Sequence, residues 1–447
     1  MKQSSLYGHV LEILGLTAGS RRPVDEVVGD FFRTRHYLGA RDRRFIGDAV
    51  FDIVRNQTLL SHITDQAMSR FTGFTPEPRA WPFFRLAVYL AVVRKEELPA
   101  ILAALSSLWE TYGREPSLDI FLDSVVATWS TFVWPESPVE RFSLAYSIHP
   151  LVVRDWVDHY GVVGAEQLCV ASNSPPPTTG RVNALKCTRE ECQARLQREG
   201  ITVAPTLLSP VGLRFERRSN IQGLSSFRDG WFEMQDEGSQ IISYLLRAKE
   251  GDAILDACAG GGGKTLHLAA LMKNAGKLIA SDSSRARLKQ LKERGRRAGV
   301  TIVEISPPDP TIGEGVEKDF DAVLIDAPCT GTGTYRRNPW LKAAFQPEEF
   351  EHVLLTQRGL LERHSRAVRP GGKLVYATCS LLRRENEEQI ELFLRAHADF
   401  SLIRAGEILA EAGIDTGHDQ EYLTLLPHLN GTDGYFAAVL RKKGSER

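Results

Sequence analysis

The sequence predicts an α/β protein, in which a doubly wound parallel sheet follows an all-α region and a small α+β module. Three observations predict it. From residue 231 onward, short apolar runs alternate with helical patterns, and repeated β-α-β crossovers demand a parallel sheet covered on both faces. Over residues 1–145 apolar residues recur at helical spacing with no strand alternation. Residues 146–230 mix short strand-like runs with polar helix, as a small α+β module would.

The bulk numbers set bounds. The 447 residues are 43% hydrophobic and 25% charged, an ordinary globular composition. A formal net charge of -1 gives no overall attraction to nucleic acid, so any such contact must come from local basic clusters. Six scattered cysteines form no disulfide framework, which points to a reducing compartment. Cys187 and Cys192 have no matching second pair, so no metal is expected. The opening Met1-Lys-Gln-Ser-Ser leads into an apolar stretch broken by Gly8, His9 and Glu12, a poor secretory signal. No apolar run is long enough to span a bilayer, and a cytoplasmic protein is expected, with no membrane partner.

In chain order, the clearest early helix is 41–60, where Phe45/Ile46, Ala49/Val50 and Ile53/Val54 build one apolar face. Residues 83–93 and 101–109 repeat the pattern after the turn signal Thr75-Pro-Glu-Pro78. Arg33, Arg35, Arg41, Arg43 and Arg44 read either as a solvated face or as a phosphate-binding patch. Trp134-Pro-Glu-Ser-Pro138 is a linker candidate. In the middle module, 151–160 reads as helix, Pro175-Pro-Pro177 as a stiff break, 181–185 as strand and 190–199 as polar helix. Short strands follow at 201–203 and 212–215. In the region 231–447, helix 240–246 precedes strand 253–258. Helix 264–272, strand 277–282 and basic helix 286–298 follow. Further strands are expected at 302–305, 322–325, 374–377 and 435–440, with helices at 347–368 and 385–396.

Asp256-Ala-Cys-Ala-Gly-Gly-Gly-Gly-Lys264 joins the first of these strands to its helix. Glycines there let backbone approach a ligand, and the helix N-terminus favours negative charge. A P-loop would need glycine where Cys258 stands. A dinucleotide fingerprint is met by Gly260 and Gly262 but fails at Thr265. A methyltransferase-type turn stays open as the third reading. Asp282, at the end of the next strand, can accept both ribose hydroxyls of either a dinucleotide or a methyl donor, or cap the helix after it.

Two further strands end in thiols. Asp326-Ala-Pro-Cys329-Thr-Gly-Thr-Gly333 closes one, and Tyr376-Ala-Thr-Cys379-Ser380 closes the other. A lone cysteine on a strand is usually a small buried hydrophobe. Two at strand ends beside a carboxylate suit attack on a pyrimidine ring: a thiolate adds to C6, a helper assists release, and an acid stabilises N3.

These motifs, with Arg336-Arg-Asn-Pro339, Glu385-Asn386-Glu387, Gln235-Asp236-Glu-Gly-Ser239 and Gly431-Thr-Asp-Gly-Tyr-Phe436, resemble those of the Sun/Fmu family of RNA cytosine-5 methyltransferases. Arg181-Val-Asn183 matches the module in front of that family's catalytic domain. Ala40-Arg-Asp-Arg43 and the helical region around it resemble the NusB-like domain of the small-subunit ribosomal RNA members. The resemblance implies a NusB-like domain at 1–145, an α+β module at 146–230 and a class I Rossmann-like methyltransferase domain at 231–447. It implies S-adenosylmethionine as cofactor and RNA, 16S rRNA first, as partner of a monomer. Transfer RNA, or a non-catalytic role in ribosome assembly, are the alternatives. By position, Cys379 would be the nucleophile, Cys329 would assist release, and Asp326 would hold the base and border the cofactor. Cys258, Ala259, Gly260, Gly261, Gly262, Gly263 and Lys264 would line the methionine end, Asp282 the ribose, and Asp309 the adenine. The family usually has Ala-Pro where this chain has Gly260-Gly261. Arg294, Arg296, Arg297, Arg336, Arg337, Arg383 and Arg384 are the candidate phosphate contacts; Arg336 and Arg337, close after the thiol loop, are the favoured ones, and the others read rather as solvated helix faces.

Overall fold

A computed structural model describes residues 2–18, 22–71, 77, 80–112, 116–217, 219–306, 320–417 and 420–444. The turn expected at Thr75-Pro-Glu-Pro78 lies largely outside the described residues, and Asp309 lies wholly outside them. The chain forms two compact units, Met1–Ser174 with Tyr335–Phe345, and Pro175–Thr334 with Gln346–Arg447.

The first unit is helical among its described residues. Helix Ala40–Arg55 buries Ile46, Ala49, Val50, Ile53 and Val54, the face that the sequence predicts. It stops at Asn56, and a new helix, Gln57–Met68, begins at once. The sequence suggested one helix over 41–60. The break follows from the asparagine: its side-chain amide donates to Asp52 O at 2.9 Å, capping the first helix instead of continuing it. Helix Trp81–Val88 widens over Tyr89–Val93, where the Arg94 N–H reaches Tyr89 O five residues back. Phe83, Phe84, Phe121 and Val125 lie in the core of this unit.

The segment Tyr335–Phe345 packs with this unit although both its flanks lie in the other. It carries a short helix, Trp340–Ala344. Lys342 is buried there and donates to Tyr146 O at 3.0 Å and to Asn173 Oδ1. Burial and the nearby Arg55 push its ammonium well below the usual lysine range.

The second unit holds two sheets. The smaller is antiparallel, with strands β1 (Thr178–Val182), β2 (Val203–Pro205), β3 (Gly212–Phe215) and β4 (Phe232–Met234) in the order β2-β3-β1-β4. The strand expected at 181–185 lies three residues earlier, because Asn183 turns away to bond Gly230 O and Ala298 O. The larger sheet comprises β5 (Ala253–Asp256), β6 (Lys277–Ser281), β7 (Val303–Ser306), β8 (Phe320–Asp326), β9 (Val368–Thr378), β10 (Phe400–Ile403), β11 (Leu423–Leu425) and β12 (Tyr435–Lys442). Its order is β10-β12-β9-β8-β5-β6-β7, with β11 beside β12. The five strands from β9 to β7 are parallel, while β12 runs antiparallel to β9.

Alternate residues of β8 face opposite layers. Val323 and Ile325 pack with Leu361, Ile390 and Phe393, whereas Ala322 and Leu324 pack with Ile241, Ile242 and Leu268. Burial on both faces explains why this strand reads as continuously apolar. The chain enters at β5, moves out to β7, then returns to β8 on the other side of β5. Register places Asp256 beside Leu324, and Asp326 beside Ala377. The carboxyl ends of β5, β6, β8 and β9 are therefore nearly level. Asp256, Asp282, Asp326 and Cys379 sit along one rim at the topological switch point, where open α/β sheets bind ligands.

Candidate active site

Cys329 and Cys379 come from loops at the ends of adjacent parallel strands. Their sulfurs are 3.2 Å apart, and both residues are partly exposed. The contact with Cys379, reinforced by burial, pushes the Cys329 thiol well above its usual range. Two thiolates at this separation would repel strongly, so the two sulfurs do not ionise together.

Both loops are held by buried hydrogen bonds. Glu385 accepts from Thr330 N at 2.8 Å, from Thr330 Oγ1 at 2.6 Å and from Gln357 Nε2 at 3.1 Å. Asn386 accepts from Thr378 Oγ1 at 2.6 Å and donates to Ser380 O at 3.0 Å. Gly333 N donates to Cys379 O at 3.0 Å, and Gly434 N to Gly333 O at 2.7 Å. A Cβ at Gly333 would lie 2.3 Å from Gly434 O, so these two backbones can meet only without side chains. The Gly-Thr-Gly and Thr-Asp-Gly-Tyr motifs are thus two sides of one contact.

The glycine turn faces the same rim. Gly260 and Gly262 have φ of 54° and 86°, and helix Gly263–Leu271 follows directly. Lys264 Nζ lies 2.6 Å from Asp326 Oδ2, which ties the turn to the thiol strand. Asp256 is buried and accepts from Thr265 Oγ1 at 2.7 Å. Burial, with Asp326 nearby, raises its carboxyl to about 7. Burial first, then the surrounding carboxylates, also pushes the Cys258 thiol up, which keeps it protonated and inert. The two Asp282 oxygens accept from Gly260 N at 2.8 Å and Ser284 N at 2.7 Å. Each carboxylate oxygen retains acceptor capacity for a ribose hydroxyl.

These residues fit the sulfonium cofactor. The backbone at Gly260 opens onto free space, the helix N-terminus presents N–H groups, and carboxylates stand at the ends of β5 and β6. A Cβ at Gly262 would lie 2.1 Å from Leu291 Cδ1 in a left-handed conformation. Gly262→Ala is therefore expected to destabilise the protein by about 2–4 kcal/mol. Gly261→Ala meets only side-chain ends, Arg294 Nη1 at 3.2 Å and Gln290 Oε1 at 3.4 Å, and should cost under about 1 kcal/mol. Thermal unfolding of the two variants measures the difference.

The smaller sheet grips this turn from behind. Arg181 is buried and donates to Gln235 Oε1 and to Gly263 O. Glu233, also buried, pairs with Arg294 Nε at 3.1 Å and with Arg297 Nη2, and Arg294 donates to Gly261 O at 2.6 Å. Arg294 and Arg297 are therefore held by a buried counter-charge, and Arg294 also by the glycine turn, instead of standing free on a solvated face. Arg336 is buried and groups with the first unit. Arg383 and Arg384 stand in exposed ion pairs with Glu391 and Glu351, and Arg296 is exposed. In the early arginine cluster, Arg35 pairs with Glu12 at 2.7 Å and Arg43 donates to Leu38 O at 2.8 Å. That arrangement matches a tied surface face.

The structure thus brings Cys379, Cys329, Asp326, Lys264, the glycine turn and Asp282 to one rim. Sequence reasoning gave no role to Glu385, Asn386, Arg181 or Glu233. The first three lay inside motifs already quoted, but only the fold shows which partners they hold.

Comparison with known proteins is consistent throughout. Residues 243–441 match the family described as 16S rRNA methyltransferase RsmB/F, and 151–222 match the ferredoxin-like domain of RsmF/B-like methyltransferases. A protein of Bacillus subtilis, named probable ribosomal RNA small subunit methyltransferase B, is 36% identical over 311 residues, 69% of each chain. Its namesake in Synechocystis is 31% identical over 422 residues, 91% of this chain and 93% of the relative. The crystal structure of PH0851 superposes with TM-score 0.80 at 28% identity, covering 99% of both chains. A methyltransferase homolog from Pyrococcus horikoshii gives TM-score 0.58 at 28% identity over 69% of this chain and 99% of its own. The chain, with its Rossmann-like sheet, belongs to the RsmB/F family of methyltransferases.

Proposed function

We propose that this chain methylates C5 of a cytosine in 16S rRNA through a transient bond from Cys379 Sγ to C6. The observation that carries the reading is the pair of sulfurs 3.2 Å apart on the rim, one strand end away from Asp326. S-adenosylmethionine, when bound in the glycine turn, supplies an electrophilic methyl group.

The protein's own residues do the rest. The Cys379 thiolate adds to C6, which breaks the aromatic 5,6 bond and makes C5 nucleophilic. N3 takes up a proton from solvent as sulfur adds; Asp326, with one oxygen held by Lys264, offers its other oxygen to the resulting N3–H and the amino group and balances the positive charge of the protonated ring. Once C5 carries the methyl group, its proton must leave so that the Cys379–C6 bond can break. Cys329 suits that task. In the resting site its proton is held chiefly by the contact with Cys379, and that hold is lost when Cys379 becomes a thioether. Cys329 can then release its proton to solvent and, as the thiolate, take the one from C5, while N3 returns its proton to solvent and the Cys379 thiolate departs from C6. The target base must be turned out of its stack to reach the sulfur.

The test incubates the protein with methyl-labelled cofactor and either 16S rRNA, small ribosomal subunits or bulk tRNA, and identifies the labelled nucleoside. Labelled 5-methylcytidine from a 16S substrate is expected. Label on another nucleoside, or on tRNA alone, overturns the assignment.

A further inference from the structure

Helix Arg285–Ala298 begins three residues after Asp282, at the active-site rim, and carries seven basic residues against one acid, Glu293. We propose that its outer face, with the groove beside it, binds the phosphodiester backbone of the RNA substrate. The inference deepens the proposed function and rests on it for the identity of the strand as RNA.

The helix divides its charges between two flanks. Leu288, Leu291, Gly295 and Ala298 are buried along one seam. Arg294 and Arg297 lie to one side of the seam and meet the buried Glu233. Arg285, Lys289, Lys292 and Arg296 lie to the other, at i, i+4, i+7 and i+11, a single stripe roughly 16 Å long. All four are exposed, and none has an ion-pair partner among the described residues. Like charges at these spacings weaken a helix. Exposed arginines elsewhere in this unit have acidic partners: Arg366 with Glu362 at 3.0 Å, Arg369 with Asp321 at 2.6 Å and Arg395 with Glu391 at 3.3 Å. An unneutralised stripe is thus a local exception in a chain whose charges nearly cancel, at a net -1.

The stripe ends at an open groove of about 1120 Å³, which Arg296 lines together with Lys186, Phe227 and Arg228. Arg228 is exposed and has no ion-pair partner among the described residues. Lys186 donates to the carbonyls of Asp229 at 2.6 Å and Arg297 at 2.8 Å, which leave its charge in place. Of the acids lining the groove, Glu233 and Asp229 are already paired with arginines. Glu293 alone remains against Lys186, Arg228 and Arg296.

The surroundings select a nucleic-acid strand over a protein or a membrane. None of the exposed large apolar side chains lies on this helix, whose own apolar residues are buried. A protein partner or a bilayer would need such an anchor. A row of separate cations without apolar contact suits a chain of phosphates.

The test measures binding of the full chain to transcribed 16S rRNA by filter retention, without cofactor, over a series of KCl concentrations. One variant combines Arg285→Gln, Lys289→Gln, Lys292→Gln and Arg296→Gln. A control combines Arg366→Gln, Arg369→Gln, Arg395→Gln and Arg404→Gln, which removes the same charge from paired sites. The stripe variant is expected to bind at least about tenfold more weakly. Its slope of log affinity against log salt should fall by about 2–3, as the loss of four contacts to a single strand requires. The control should stay within about threefold of the unaltered chain. Thermal unfolding should show the stripe variant no less stable, because it removes repulsion along the helix. An unchanged slope overturns the proposal. So does an equal loss in the control, which would make net charge the cause. Unchanged RNA affinity with stripe-dependent binding to phosphatidylglycerol vesicles would assign the face to a membrane and overturn it too. Methyl transfer to a base other than cytosine would defeat the proposed function while leaving these slopes as they are.

Discussion

Cys379→Ala should abolish turnover, with a loss of at least about 10⁴ in kcat, the scale seen when a covalent nucleophile is removed. Asp326, Lys264 and the glycine turn can still position the reactants, but positioning alone does not make C5 of a cytosine nucleophilic. Affinity for the cofactor should stay within about threefold, because removing one sulfur from a partly exposed loop leaves the turn and its supports in place. Labelled-methyl incorporation measures the first quantity, and equilibrium dialysis of the cofactor the second. Transfer above a few hundredths of the wild-type rate would remove Cys379 from the nucleophile's role.

Cys329→Ala should fail at the opposite end of the cycle. Cys379 still attacks, and the base is still methylated, but the C5 proton has no nearby acceptor. A protein–RNA adduct that survives denaturing electrophoresis is expected to accumulate to near one per enzyme, while multiple turnover falls by about 10²–10⁴, the contribution of a well-placed general base. The double variant with Cys379→Ala should form no adduct. A Cys329→Ala enzyme that turns over normally without trapped RNA would show that the proton leaves by another route.

Much of this site was legible before the fold was known, for a simple reason. Chemistry confined to strand ends leaves short, unusual strings: an acid, proline and thiol after an apolar run, or four glycines before a lysine. The parallel strands were legible because burial on both faces makes them continuously apolar, as in β8. The short strands β4, β10 and β11 were not, since three or four residues carry too little period to separate from loop. Tyr335 and Arg336 follow Cys329 closely in sequence yet group with the helical unit, a switch that no local pattern signals. Arg294 and Arg297 misled because a basic helix looks solvated until its buried counter-charge, Glu233, is seen 61 residues away for Arg294. Long-range partners of this kind leave no local trace.

The insertion of Tyr335–Phe345 into the helical unit bears on how the protein is made. Lys342 and Tyr335 are interior residues of a unit whose other residues end at Ser174. On the ribosome, the helices therefore emerge long before their last piece. At about 5–20 residues per second the wait is roughly 10–30 s. During that interval the nascent helices expose the bed that Tyr335 and Trp340 later fill, a window in which a chaperone has something to hold.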